Sequence, residues 1–212
     1  LGEMRSPVIL LKMSPLTRVK VDEIKARIQK GAPKNAPWVF DCDGTLIKGD
    51  IASITAWALI RFGFAHPELL PKEFEEFKST PFDYAAFRTM RTAIISKKGI
   101  NSIYEWEAFL HAGCPVATSY DVAKMASEEG FKIGAMGLTG AVSDLAKQNK
   151  DNSWIVSGSP DFCVWAIADR VEVPHHRVLG TRLETVDGIL APRVLEPGII
   201  WEELKRTVLK QN

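Results

Sequence analysis

Cysteine is scarce in this chain, and its three copies, Cys42, Cys114 and Cys163, stand far apart. An odd number with no C-x-x-C pair argues against both a disulfide framework and a cysteine zinc site. Charge of one sign is not in excess either. Lys and Arg number 27 against 26 Asp and Glu, a net charge of +1, which argues against a dedicated nucleic-acid binder. No apolar run approaches the roughly 18 residues that a membrane span needs. The apolar stretch at residues 8–13 is too short for a signal peptide. The four histidines, His66, His111, His175 and His176, form no H-x-x-x-H pair. The expectation is a protein of the reducing cytoplasm with no membrane and no nucleic-acid partner; these features carry no signal for an oligomeric state.

What is present is ordinary globular composition. The 212 residues are 46% hydrophobic and 25% charged, enough for one domain with a sizeable insertion and a core that needs no staples. Residues 1–37 read as a lead-in, with apolar residues at helical spacing over residues 21–30 and a Gly/Pro breaker at residues 31–37. Residues 38–46, WVFDCDGTL, run from an apolar strand into a polar turn. Residues 51–62, 71–78, 84–97, 102–112, 120–129 and 138–149 each carry helical periodicity. The many aromatics among them read as helical core. A second apolar strand covers residues 153–157, and a helix from Pro160 to about residue 169 follows. Residues 177–190 read as a hairpin turning at Asp187-Gly188, and residues 199–210 as a last amphipathic helix. Two strands with polar ends, separated by a helical block, predict an α/β fold: a Rossmann-like open parallel sheet core with a helical cap inserted after the first core strand. The expected units are the lead-in (1–37), the core (38–49 and 150–212) and the cap (50–149).

The sharpest signal is Asp41-Cys42-Asp43-Gly44-Thr45. In an extended chain, residues i and i+2 face the same way. Asp41 and Asp43 are therefore expected together at the carboxyl end of a strand, where open α/β sheets bind ligands. Gly44 allows the sharp turn. Two acids held close repel, so the pair favours a divalent cation or a shared proton. Cys42 points the other way and reads as core.

This run resembles the first motif of the haloacid dehalogenase-like phosphohydrolase superfamily. Trp154-Ile155-Val156-Ser157 resembles its second motif, a Ser ending a later strand. Gly158-Ser159-Pro160, with a helical insertion between the two motifs, is similar to the phosphoserine-phosphatase-like branch. The resemblance implies that Asp41 is a nucleophile forming an aspartyl-phosphate and Asp43 a general acid and base. It implies a Mg²⁺ cofactor on Asp41 and Asp43. It implies that Ser157, with backbone amides near Gly44 and Gly158, binds the phosphoryl oxygens. Asp50 is either a substrate-contacting acid or a helix N-cap.

Two pieces of the pattern are not evident. The expected lysine slot falls near Ile200 or Trp201; Lys205 and Lys210 lie beyond it in undetermined helical phase. No G-D-x-x-x-D pair follows. Asp144, Asp151 and Asp161 are the candidate substitutes for metal binding, although Asp161 also suits the first turn of a helix. The Gly-rich residues 130–140 lack nucleotide-loop spacing, and His175-His176 read as a loop pair. The expected activity is Mg²⁺-dependent hydrolysis of a small phosphorylated metabolite. The alternatives are a reduced module that binds such a ligand, or a protein partner, without turnover, and phosphoryl transfer to an acceptor other than water.

Overall fold

A computed structural model of the chain describes residues 9–11, 22, 23, 26, 36–79, 83–200 and 203–211. Among the described residues, four strands make the parallel sheet: β1 (Ile9–Leu11), β2 (Trp38–Asp41), β5 (Ser153–Pro160) and β6 (Val178–Thr181), in the order β1-β2-β5-β6. β2 and β5 are buried along nearly their whole length, as strands covered on both faces must be. The sheet lies in an α/β arrangement, as expected. The predicted lead-in helix falls largely outside the described residues, of which Asp22, Glu23 and Ala26 are helical.

Between β3 (Ile47–Lys48) and β4 (Gly137–Leu138), which pair antiparallel, the chain runs through four α-helices. They are α1 (Ile51–Arg61), α2 (Tyr84–Lys98), α3 (Ile100–Phe109) and α4 (Val116–Lys132). α5 (Ala141–Gln148) leads back to the sheet, α6 (Asp161–Val171) joins β5 to β6, and α7 (Glu203–Gln211) closes the described chain. Asp50 caps α1 by accepting the Ser53 N–H at 3.0 Å, and Asp83 caps α2 through Ala86 N–H at 2.9 Å.

Three elements differ from expectation. Residues 72–77 form a 3₁₀ turn rather than an α-helix. The helix expected from residue 138 begins at Ala141, because Gly137–Leu138 pairs with β3 and Gly140 turns with φ +58°. The predicted hairpin is displaced: residues 178–181 join the parallel sheet, and the hairpin is β7 (Leu183–Val186) with β8 (Ile189–Val194). Its turn stays at Asp187-Gly188, both at positive φ (50° and 81°), the backbone that a two-residue type I′ turn demands. The hairpin also reaches the helical block: Gly113 N–H donates to Leu190 O at 2.8 Å, and Leu190 N–H to Cys114 O at 2.9 Å.

One contiguous core joins sheet and helices, from Phe40 and Ile155 to Phe87, Ile103 and Trp106. Trp57, Tyr84, Phe87 and Trp106 form a chain of ring contacts, with centroids 5.1, 6.3 and 5.6 Å apart. Most predicted core aromatics are therefore core; Phe62 and Phe64 are exposed instead. The tightest backbone approach is at Gly180 in β6, where a Cβ would lie 2.5 Å from Asp161 Cα at the start of α6. Thr181 beside it donates its hydroxyl to Gly158 O at 2.7 Å and accepts the Ile200 N–H at 3.2 Å. Gly180→Ala must push β6 away from α6 and is expected to cost about 2 kcal/mol. Urea unfolding checks this as a lower midpoint at unchanged slope.

Candidate functional site at the carboxyl end of β2 and β5

The register places the site. β2 and β5 run parallel with Asp41 opposite Val156, so Ser157 and the turn after Asp41 leave the sheet at the same edge. That turn is tight: Leu46 N–H donates to Cys42 O at 2.9 Å, and Gly44 sits at φ +73°, backbone that glycine adopts without strain. Cys42 is fully buried away from the acids' hydrogen bonds, and burial, with Asp43 and Asp41 near, pushes its thiol well up. It stays a neutral core thiol.

Asp41 is buried. Its Oδ1 pairs with Lys205 Nζ, which α7 brings in, and Thr45 Oγ1 stands 3.3 Å from its Oδ2. Asp43 is held from both sides. Ile51 N–H, at the start of α1, donates to Oδ1 at 2.8 Å. The hydroxyls of Ser157 and Ser159 donate to Oδ2 at 3.1 and 2.7 Å. Burial first, and then the charge of Asp50, push the Asp43 carboxyl up to about 7, against the pull of Ile51 N–H and Ser159. Such a group can hold or release a proton near neutrality.

The structure thus brings together two hydrogen-bonded groups at one strand end, Asp41 with Lys205 and Thr45, and Asp43 with Ser157 and Ser159. Lys205 corrects the expectation of a missing lysine: Ile200 and its neighbour do not supply the cation, but the first turns of α7 do. Its phase was unreadable because the helix start was. Ser159 carried a signal that went unused, since β5 stays extended through residue 160 and i, i+2 residues share a face. Gly158 is buried with its carbonyl on Thr181. Asp50 does cap α1, and its Oδ2 also pairs with Arg91 Nη2 at 2.9 Å. Arg91 Nε lies 2.6 Å from Glu107 Oε1, a fully buried carboxyl that accepts the Ser53 hydroxyl at 2.7 Å. Burial and Asp50 push Glu107 up to about 8, against Arg91 and Ser53.

The three proposed metal-site substitutes do not join either group. Asp144 and Asp151 are exposed, and no described hydrogen bond or ion pair ties either to Asp41 or Asp43. Asp161 turns back on its own helix, its Oδ1 accepting Phe162 N–H at 2.7 Å. Among the described residues, no three His, Cys, Asp or Glu side chains gather to hold a metal. The strand end offers the side-chain oxygens of Asp41 and Asp43, which are hard donors. That set fits a small hard cation that keeps waters and takes a phosphate oxygen.

The sequence model of the family described as haloacid dehalogenase-like hydrolase matches residues 38–212. Two solved structures of unassigned function resemble the fold. One, from Bordetella pertussis Tohama I, is 18% identical with a TM-score of 0.60, covering 82% of this chain and 71% of that one. The other, from Anaerococcus prevotii DSM 20548, is 17% identical with a TM-score of 0.62, covering 91% and 75%. A phospho-aspartyl intermediate analogue of a phosphoserine phosphatase aligns at 17% identity and a TM-score of 0.47, covering 82% and 68%. No curated protein sequence matches.

Two outcomes are expected from this geometry. Lys205→Met leaves the Asp41 carboxylate buried without its cation and should cost about 3 kcal/mol. Adding Asp41→Asn should recover part of that loss, which a double-mutant cycle of urea midpoints reads directly. Asp161, pushed up to about 6 by burial, binds its proton more tightly folded than unfolded. Its contribution is full below the unfolded value of about 3.9 and is lost as pH rises through about 6. Asp161→Asn should flatten the stability profile across that window.

Proposed function

The chain belongs to the haloacid dehalogenase-like hydrolase family, and from that premise we propose that it is a Mg²⁺-dependent phosphomonoesterase acting through an aspartyl-phosphate. The observation that carries the reading is one buried carboxylate, Asp41, paired with Lys205 beside a second acid, Asp43, gripped by Ser157 and Ser159.

In this reading Lys205 holds Asp41 Oδ1, and Oδ2, with only Thr45 at 3.3 Å, is the freer oxygen. That oxygen attacks phosphorus while the bond from phosphorus to the alcohol oxygen breaks. Asp43 gives its proton to the departing alkoxide. It then takes a proton from water, whose oxygen bonds to phosphorus as the Asp41 acyl-phosphate bond breaks. The ammonium of Lys205 opposes the negative charge gathering between nucleophile and phosphoryl group. The amides near Gly44 and Gly158 offer donors to the phosphoryl oxygens, and the Ser157 hydroxyl, which donates to Asp43 without ligand, would turn its one proton to a phosphoryl oxygen. Mg²⁺ would sit on the Asp41 carboxylate and the Asp43 carbonyl and offset the charge of the incoming phosphate. The helices between β3 and β4 serve as the cap, residues 49–136 on this reading, since α5 packs on α6 of the sheet domain.

The absence of a third acidic ligand among the described residues favours a second reading, a phosphate-ester binder without turnover. One assay separates the two: release of inorganic phosphate from p-nitrophenyl phosphate with Mg²⁺. The phosphatase reading expects turnover that EDTA abolishes and added Mg²⁺ restores. Asp41→Asn should lower kcat by at least about 10³-fold, and Asp43→Asn should slow release and let phospho-enzyme accumulate. Turnover unchanged in Asp41→Asn removes Asp41 as nucleophile; calorimetric binding without any turnover establishes the second reading.

A further inference from the structure

The two ends of the helical block meet beside the turn that carries the acids. β3 pairs with β4 through Ile47 with Leu138 and Lys48 with Gly137. Gly49 follows β3 at φ +109°, and a Cβ there would lie 2.8 Å from Ala135 O, just before β4. The outgoing and returning chains are in close contact, and the returning one brings Thr139 to the turn.

Within the turn, the donors converge on one carbonyl. The N–H groups of Thr45, Leu46 and Ile47 all point to Cys42 O, at 3.2, 2.9 and 3.2 Å. The carbonyls of Thr45 and Leu46 are both met by Thr139. Its N–H donates to Leu46 O at 3.0 Å. Its hydroxyl lies 2.5 Å from Thr45 O and 3.1 Å from Leu46 O. With one proton to give, that hydroxyl serves the nearer carbonyl, because Leu46 O already has the amide. Thr55, Thr89, Thr92 and Thr207 each donate to a carbonyl four residues back in their own helices. Thr139 instead reaches across 94 residues.

The bond matters because of what Thr45 touches. Thr45 is buried, and a buried carbonyl that loses its donor is destabilised, so the turn must shift when that hydroxyl is removed. The Thr45 side chain moves with its main chain. Its Oγ1 stands 3.3 Å from Asp41 Oδ2, while Lys205 occupies Oδ1.

We propose that, on the phosphatase reading above, Thr139 is a positioning residue for the nucleophile: its hydroxyl fixes the Thr45 main chain, and the Thr45 hydroxyl sets the direction of Asp41 Oδ2. In-line attack needs that oxygen at contact distance from phosphorus, and a misplacement of about 1 Å costs on the order of 10²-fold in rate. The donors that hold the phosphoryl group lie elsewhere, so the loss falls on the attack step rather than on substrate binding. The strand on which the helical block returns is thereby part of the site.

The test follows p-nitrophenol release from p-nitrophenyl phosphate with Mg²⁺ in a single turnover, which reads attack apart from later steps. Thr139→Val keeps the shape and removes the hydroxyl. It should lower the saturating rate about tenfold or more while the half-saturating concentration stays within about twofold. Thr139→Ser keeps the hydroxyl and should restore the rate. In a Thr45→Val background, Thr139→Val should cost less than about twofold further, because the two residues act in series. An unchanged rate in Thr139→Val overturns the proposal. So does a Thr139→Ser protein as slow as Thr139→Val, or full additivity with Thr45→Val. Thr139→Ala gives the same readings should Thr139→Val not fold, and failure of both to fold, seen by circular dichroism, makes the role structural and overturns the proposal. A wild-type protein that releases no p-nitrophenol removes the phosphatase reading and this inference with it; wild-type release that Thr139→Val leaves unchanged removes this inference alone.

Discussion

One carboxyl group is buried and a second half-buried at one strand end, and the surrounding structure answers their electrostatic cost. An unpaired buried carboxylate costs several kcal/mol. Asp41 is met by a full positive charge from Lys205, and Asp43 by three hydrogen-bond donors, Ile51 N–H and the hydroxyls of Ser157 and Ser159. The two solutions differ in kind. A cation meets Asp41 charge for charge. Neutral donors only partly offset the burial of Asp43, whose carboxyl stays pushed up.

These contacts tie distant parts of the chain to one point. Lys205 belongs to α7, the serines to β5, and the Ile51 amide to the first turn of α1. A change that moves α1 is therefore felt at Asp43 directly. The packing gives such motion little freedom, because the core that runs from Phe40 through Trp57 to Trp106 is continuous. The β7–β8 hairpin adds two backbone hydrogen bonds to the segment between α3 and α4, so the helical block is also held midway along its path. The Asp50–Arg91–Glu107 tie then joins three of its helices beside the acids.

The legible parts were those set by local rules. The alternation in DCD predicted two acids on one side and Cys42 on the other, and Cys42 is buried in the core. Asp-Gly marked its turn correctly at Asp187-Gly188, yet the strands it joins are β7 and β8 rather than the segment from Arg177, because residues 178–181 found a better partner in β5. A short apolar run does not say which neighbour it will pair with. The same limit applied at Gly137–Leu138, which reads as helix by pattern and pairs with Ile47–Lys48 because the chain must re-enter the sheet beside the point where it left.

Sequence by itself determined the α/β arrangement, the acids Asp41 and Asp43, and a second strand carrying Ser157, though not its continuation to Pro160, because strand periodicity and turn chemistry act over a few residues. Tertiary structure alone decided that Lys205 is the cation on Asp41, 164 residues away. It alone turned Arg91 inward between Asp50 and Glu107. Such pairings depend on how helices dock and on which charges are stranded by burial, and neither is encoded in the spacing of residues along the chain.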